Sequence, residues 1–248
     1  MRRFFLPSHN FDYMEIPLTG DVLHHLQNVL RLESEVEVLL QDGRGLVCRC
    51  RLESSGTKKL KAVVLEKWRE EDTAFPFHLI QALPKMEKME WILQKGTEMG
   101  VREFSPVVTK RTIPVLKGER KKTRLLRWRR IVEEAARQCG RSWVPIVNEP
   151  GDLAEVLLAC REKFRLVCWE EESRPLVDLL SGQAPLDAAV FVGPEGGLEK
   201  DEIRFLEKSG FQAVSLGPRI LRTETAGFAV AVVFQYLFGD MGSALSAR

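Results

Sequence analysis

The sequence predicts two domains: a small β domain over residues 1–70 and a larger α/β domain with a largely parallel sheet over residues 75–242. Three observations lead there. Up to about Trp68, apolar and polar residues alternate with a period of two. From Phe75 onward, short apolar runs alternate with stretches of helical period. The charged segment from Trp68 to Thr73 lies between the two patterns as a linker.

In the first domain, Val36, Val38 and Leu40 alternate with Glu35, Glu37 and Leu39, and Asp42-Gly43 then supplies a turn. Leu46, Cys48, Cys50 and Leu52 alternate against Val47, Arg49 and Arg51, and Leu60, Ala62 and Val64 continue the period. One short helix is expected with Asp21 as its N-cap, carrying Leu23, Leu26, Val29 and Leu30. Several short strands separated by turn signals predict a small barrel.

In the second domain, Phe77 to Leu83 reads as a strand that Pro84 ends. A helix follows with Met89, Ile92, Leu93 and Met99 on one face and Gly100 as its C-terminal stop. Phe104 to Thr109 is the next strand. The long helix after Gly118 carries Leu125, Trp128, Ile131, Val132, Ala135, Ala136 and Cys139 at helical spacing, with arginines on its other faces. The segments Arg165–Trp169, Ala188–Gly193 and Ala213–Gly217 are short apolar strands of the fully buried kind. Helices over Glu199–Ser209 and Thr225–Phe238 complete the domain.

Composition narrows the function classes. The chain has 248 residues, 44% of them hydrophobic, which fits a globular protein and excludes a disordered one. Its net charge is only +2, yet residues 110–141 hold twelve lysines and arginines against three glutamates, a local excess of +9 that the rest of the chain offsets with −7. So one-sided an excess fits a polyanionic partner as well as a solvated helix face. The five cysteines form no CxxC pair and the four histidines show no ligand spacing, so no metal is expected. Free thiols and the lack of a signal-like apolar run place the protein in the cytoplasm. The apolar stretch Ala226–Phe238 is too short to span a bilayer and reads as a buried helix, so no membrane partner is expected.

Ligands of open α/β sheets bind outside the carboxyl ends of the strands. Two glycine-containing loops follow such ends here, Gly193-Pro-Glu-Gly-Gly197 and Leu216-Gly-Pro-Arg-Ile-Leu-Arg-Thr-Glu-Thr-Ala226. Glycines let backbone groups approach a ligand closely, although their spacing alone is equally that of ordinary turns. Neither GxGxxG nor GxxxxGK[ST] occurs, so the usual dinucleotide and P-loop signatures are missing.

Taken together, these two motifs resemble the SPOUT class of methyltransferases, and within it the RsmE family of ribosomal RNA small-subunit uridine N3-methyltransferases. The resemblance extends over nearly the whole chain. It includes Arg2-Arg-Phe-Phe5, His24-His-Leu-Gln-Asn-Val-Leu-Arg31, Gln94-Lys-Gly-Thr-Glu-Met-Gly-Val101 and Glu134-Ala-Ala-Arg-Gln-Cys-Gly-Arg141. It implies a PUA-like β-barrel that binds RNA, followed by a SPOUT domain closed by a C-terminal trefoil knot. It also implies a homodimer that methylates 16S ribosomal RNA within the assembled small subunit. The implied cofactor is S-adenosylmethionine, held by the segment after Cys168 and by the two loops. Its expected contacts are Gly193, Pro194, Glu195, Gly196, Gly197, Leu216, Gly217, Ile220, Leu221, Arg222, Thr225 and Ala226.

Uridine N3 carries a proton and becomes nucleophilic only when that proton leaves, with negative charge spreading onto the flanking carbonyl oxygens. A nearby base or a cation facing the anion would supply the driving force. Arg222 is the expected cation, and Glu224 the expected base or the partner that orients Arg222. As a competing role, Glu224 opens the last helix, where an acid suits the helix dipole. Glu195 could equally contact the ligand or cap the amides of its own loop. Arg2, Lys95, Arg111, Arg137 and Arg141 are the expected RNA contacts, while Lys121, Lys122 and Arg124 read as a solvated face. Trp143 is a candidate for base stacking; Trp128 falls on the apolar stripe and reads as core. Two other functions compete: an RNA-binding assembly factor without catalysis, which the intact loops disfavour, and ribose 2′-O-methylation.

Overall fold

The computed structural model describes residues 1–24, 26, 35–55, 60–85, 87–113, 116, 118–182 and 184–242. The chain divides into two compact units, one of Met1–Asp72 with Ala136–Val144 and one of Thr73–Ala135 with Pro145–Arg248.

The first unit is built on strands β1 (Arg2–Phe5), β2 (Glu15–Pro17), β3 (Glu37–Gln41), β4 (Leu46–Ser54) and β5 (Leu60–Arg69), in the order β1-β3-β4-β5-β2. β1 pairs with β3 in parallel and the other pairs are antiparallel. The period of two does what it predicts. Val38, Leu40, Cys48, Cys50, Leu52 and Ala62 have no exposed surface and converge with Phe4 and Ile16 on one core. Arg49 and Arg51 point outward and pair with Glu66 and Glu53. Val36 departs from the pattern: it precedes β3 and is exposed. Helix α1 (Gly20–His24) starts at Gly20, so Asp21 lies within it rather than capping it; Val29 and Leu30 of the expected helix lie outside the described residues.

β5 runs on to Arg69, through the start of the expected linker. Residues 136–144 also belong to this unit. The Trp143 indole N–H donates to the Glu70 carbonyl (2.9 Å), Gly45 N–H to Ser142 O (3.2 Å) and Val144 N–H to Gly43 O (3.0 Å). Trp143 thus spends its polar edge on the backbone of its own unit.

The second unit holds a sheet of β6 (Phe77–Ala82), β7 (Glu103–Val108), β8 (Ile146–Val147), β9 (Gly151–Asp152), β10 (Phe164–Cys168), β11 (Ala188–Val192) and β12 (Gln212–Val214). The order is β12-β10-β11-β6-β7-β8, with β9 also on β7, and every pair is parallel. β6 and β11 are buried along their whole length, as strands covered on both faces must be. On one face, helices α2 (Lys88–Glu98) and α7 (Thr223–Phe238) bring Trp91 against Phe228 (5.0 Å between ring centres) and Phe234 against Phe77 (5.6 Å). On the other, α4 (Leu153–Ala159) and α6 (Lys200–Lys208) bring Val156, Leu157, Ile203 and Leu206 onto Ile80, Val167 and Phe191. Helix α3 (Gly118–Cys139) buries Leu125, Trp128, Val132, Ala135 and Ala136, and a short α5 (Leu176–Leu180) precedes β11. Among the described residues, no helix is long and apolar enough to cross a membrane.

In this unit, four elements have no counterpart in the sequence: β8, β9, α4 and α5. The two strands are two residues each, too short for periodicity to register. α4 did carry a local signal, because Asp152 and Glu155 form a reciprocal capping box.

Gly96 stands inside α2, where glycine costs roughly 1 kcal/mol against alanine. The packing gives the reason: a Cβ there would lie 2.7 Å from the Phe104 ring of β7. Gly96→Ala should therefore lose about 1–3 kcal/mol through overpacking despite its better helix propensity. Denaturant unfolding at matched m-value checks this; a stabilised variant would refute the close approach.

Candidate active site

β10, β11 and β12 end side by side at Cys168, Val192 and Val214, which are register partners across the sheet. All three residues line a cleft of about 760 Å³. Its walls are the segments that leave those ends, within 169–175, 193–198 and 215–223, together with Lys88 and Ala226. The segments after β10 and β12 are bound to each other: Trp169 N–H donates to Val214 O (3.1 Å), Ser215 N–H to Arg174 O (2.8 Å) and Leu176 N–H to Ser215 O (3.1 Å).

The loop after β11 is held from three sides. Gly197 N–H closes a turn onto Pro194 O (2.9 Å), with Gly197 at φ +72°, in the left-handed region that suits glycine. The Arg111 guanidinium donates to Gly196 O (2.8 Å). The buried Thr223 hydroxyl donates to Gly193 O (2.6 Å) while accepting from the Gln81 amide (2.8 Å). The start of α7 is thereby tied directly to the glycine loop and, through Gln81, to β6.

Lys88 joins the two motif loops electrostatically. Its ammonium lies 3.0 Å from Glu195 Oε1 and 3.2 Å from Glu224 Oε2. Glu195 also accepts from Lys85 N–H (3.1 Å). The hydrogen bond to Glu195 pushes the Lys88 pKa up; partial burial opposes it, and Glu224 adds to the rise. Partial burial pushes the Glu195 carboxyl upward, but hydrogen bonds from Lys88 and from backbone amides outweigh it and hold the group below the usual carboxylate range. Lys88 thus stands between the carboxyl groups of Glu195 and Glu224.

Of the residues expected to contact the cofactor, Gly193, Pro194, Glu195, Gly197, Leu216, Gly217, Ile220, Leu221, Arg222 and Ala226 line the cleft. Gly196 does not: a Cβ there would face Arg111 at 3.3 Å. Thr225 is exposed on α7 and also stays off the wall. Arg222 lines the cleft as the N-cap residue of α7. Glu224 sits two residues further on, its side chain only 11% exposed, and its ion pair is with Lys88. Among the expected RNA contacts, Arg2 is exposed at the start of β1 and Lys95 pairs with Glu98 (2.9 Å). Arg111 braces the glycine loop, and Arg141 pairs with Asp72 at 3.7 Å. Arg137 is half-buried near the end of α3.

Sequence reasoning missed Lys88, Gln81 and Thr223, as well as Glu170 and Glu172 on the cleft wall. Thr223 lay within the quoted motif, and Glu170 and Glu172 within the segment after Cys168; Lys88 and Gln81 carry no local signature, since each lies in an element remote in sequence from the motifs. The fold also assembles a second polar cluster, at the amino ends of the strands and so at the opposite edge of the sheet. There the His78 ring bridges Glu162 Oε1 (Nδ1, 3.1 Å) and Ser105 Oγ (Nε2, 2.8 Å), and the Cys160 thiol donates to Glu162 Oε2 (3.2 Å). These ligand-type atoms of His78, Cys160 and Glu162 lie within 4.8 Å of one another, which spacing along the chain did not reveal. Burial pushes the Cys160 thiol up to about 12, so it is a protonated donor in this network.

Known proteins match both units. The RNA methyltransferase domain family matches residues 71–235, and the RNA methyltransferase PUA domain family residues 18–65. The ribosomal RNA small subunit methyltransferase E of Bacillus subtilis is 32% identical over 256 residues, covering 97% of this chain and 100% of its own. The Mycobacterium bovis protein of that name is 36% identical over 218 residues, covering 86% of this chain and 82% of its own. Among solved structures, a ribosomal RNA small subunit methyltransferase E from Neisseria gonorrhoeae bound to S-adenosyl methionine superposes with a TM-score of 0.86. It is 34% identical over 97% of this chain and 99% of that one. A Legionella pneumophila protein in complex with SAM superposes at 0.87 with 30% identity, over 96% of this chain and 98% of that one. A domain family that spans most of the α/β unit and a relative matched along its full length establish that the chain belongs to the ribosomal RNA small subunit methyltransferase E family.

Proposed function

We propose that the protein transfers the methyl group of S-adenosylmethionine to N3 of one uridine in 16S ribosomal RNA, as a cytoplasmic homodimer acting on the assembled small subunit. The observation that carries this reading is the cleft, where both motif loops meet at the ends of three adjacent parallel strands. Its volume falls within the usual range of cofactor sites. Its wall also suits this cofactor. Backbone groups of Gly193, Leu216, Gly217 and Leu221 are available to a nucleoside, Val192, Pro194 and Ile220 supply apolar surface, and Glu170 and Glu172 offer carboxylates to a cationic ligand.

When bound, the cofactor supplies a methyl carbon already activated on a sulfonium. What this chain adds is orientation and the handling of one proton. Arg222 opens α7 at the cleft wall and is the cation that attracts the RNA strand at its mouth. Glu224 acts as a holding group through its ion pair with Lys88, in place of the base or Arg222 partner expected from the sequence. The PUA-type unit with Arg2, Arg137 and Arg141, and the second unit with Lys95 and Arg111, take the RNA; the +9 excess over 110–141 supports that assignment. A trefoil knot is supported by the hydrogen bonds that lay residues 214–215 against 169–176 before the chain returns in α7 to pack on β6.

N3-methylation blocks Watson–Crick pairing and stops reverse transcriptase. A strain lacking this protein should lose one strong stop in primer extension along small-subunit RNA and regain it with the wild-type gene. If every stop persists in the deletion strain, the uridine-N3 assignment is wrong.

A further inference from the structure

We infer that Lys88 is a catalytic residue which, with Glu195, reads the imide edge of the target uracil; this rests on the uridine-N3 reading above. Lys88 is the first residue of α2, and its side chain, 34% exposed, forms part of the cleft wall. An ammonium has three N–H donors. Its Nζ lies between the carboxyl groups of Glu195, at 3.0 Å, and Glu224, at 3.2 Å, which come from the two different motif loops. Two such neighbours leave at least one N–H for a ligand in the cleft. A lysine that served only solubility would not be gripped from both loops at the wall of the principal cleft.

The pair has the polarity that a uracil edge requires. Uracil presents an N3–H donor beside a carbonyl acceptor. Glu195 and Lys88 present a carboxylate acceptor beside an ammonium donor, 3.0 Å apart. Cytosine, with an acceptor at N3 and a donor at the neighbouring amine, would meet both groups in the wrong sense. The chemistry also balances. Glu195 accepts a hydrogen bond from N3–H, the proton is lost to solvent, and the negative charge on the carbonyl oxygen is met by a Lys88 N–H. The N3 lone pair then bonds to the methyl carbon as the carbon–sulfur bond breaks, its electron pair staying on sulfur. Lys88 remains protonated throughout, because the carboxylates beside it raise its pKa. It is thus the donor in this step and not the base.

The test compares wild type and Lys88→Met on small subunits reconstituted with ordinary 16S RNA and with RNA transcribed using 5-fluorouridine, whose N3–H is more acidic. Turnover of Lys88→Met should fall about 10²–10³-fold on ordinary RNA, the usual effect of deleting one such donor. S-adenosylmethionine affinity should be retained. On fluorinated RNA the deficit should shrink at least tenfold, since the anion then needs less stabilisation. Lys88→Gln, which keeps the bulk and a donor but not the charge, should show the same narrowing. Wild-type turnover in either variant, or a deficit of equal size on both RNAs, overturns the inference and leaves Lys88 a structural clamp. The uridine-N3 reading fails separately, if the wild-type product contains no 3-methyluridine on nucleoside analysis.

Discussion

Gly197→Val is expected to weaken S-adenosylmethionine binding by roughly 10- to 100-fold, about 1.4–2.8 kcal/mol. The residue sits at φ +72°, where a β-branched side chain is strained by on the order of 1–2 kcal/mol. Its Cβ would also stand 2.5 Å from Glu170 Oε1, a flexible group on the facing wall of the cleft. The least costly relief is to open the turn that Gly197 N–H closes onto Pro194 O, which moves the wall between Gly193 and Leu198. Because that loop lies at the cleft and away from the buried core, the loss should appear in affinity more than in folding stability. Gly197→Asn, which tolerates the left-handed region, should retain most of the binding. Gly196→Val is the instructive contrast, because its side chain would press on Arg111 outside the cleft. Titration calorimetry decides; equal affinity for Gly197→Val and wild type would remove the loop from the cofactor site.

The cluster at the other edge of the sheet should govern acid stability. Burial pushes Glu162 upward, but hydrogen bonding and attraction from His78, with help from its own backbone amide and Cys160, bring it down from 4.5 to about 2. A carboxyl whose pKa is lower in the folded chain contributes stability above its unfolded value and loses it as pH falls through the folded one. The contribution is therefore present in full above pH 4.5 and lost between 4.5 and about 2. It amounts to on the order of 3 kcal/mol. Glu162→Gln should cost about 1.5–3 kcal/mol near neutrality by replacing the carboxylate that holds the 5%-exposed His78 ring and the Cys160 thiol with a neutral amide. The variant should also show a flatter acid limb in urea unfolding. Parallel pH profiles for the two proteins would show that the pair carries no such linkage. Cofactor affinity at neutral pH should not change, because the cluster and the cleft lie at opposite ends of the strands.

By itself, the sequence determined whatever depends on local pattern. A period of two placed Val38, Leu40, Cys48, Cys50 and Leu52 in one core. Unbroken apolar runs marked β6, β10 and β11 as buried strands, and the glycine motifs after β11 and β12 marked the ends that would carry the cleft. These features are legible because each is written in consecutive residues, and side-chain direction along a strand or helix repeats with a fixed period.

Tertiary structure alone decided which distant residues meet. Lys88 reaches Glu195 and Glu224 across 107 and 136 positions of chain, and Gln81 reaches Thr223 across 142. Residues 136–144 join the first unit because the turn around Gly43 and Gly45 offers backbone partners to Ser142 and Val144, and Glu70 O takes the Trp143 indole N–H. His78, Cys160 and Glu162 become neighbours because β6 and the approach to β10 lie close together once β11 is inserted between their strands. No local propensity encodes such encounters. They follow from strand order, and strand order is set by how buried faces pack, a property of the whole domain and of no single segment.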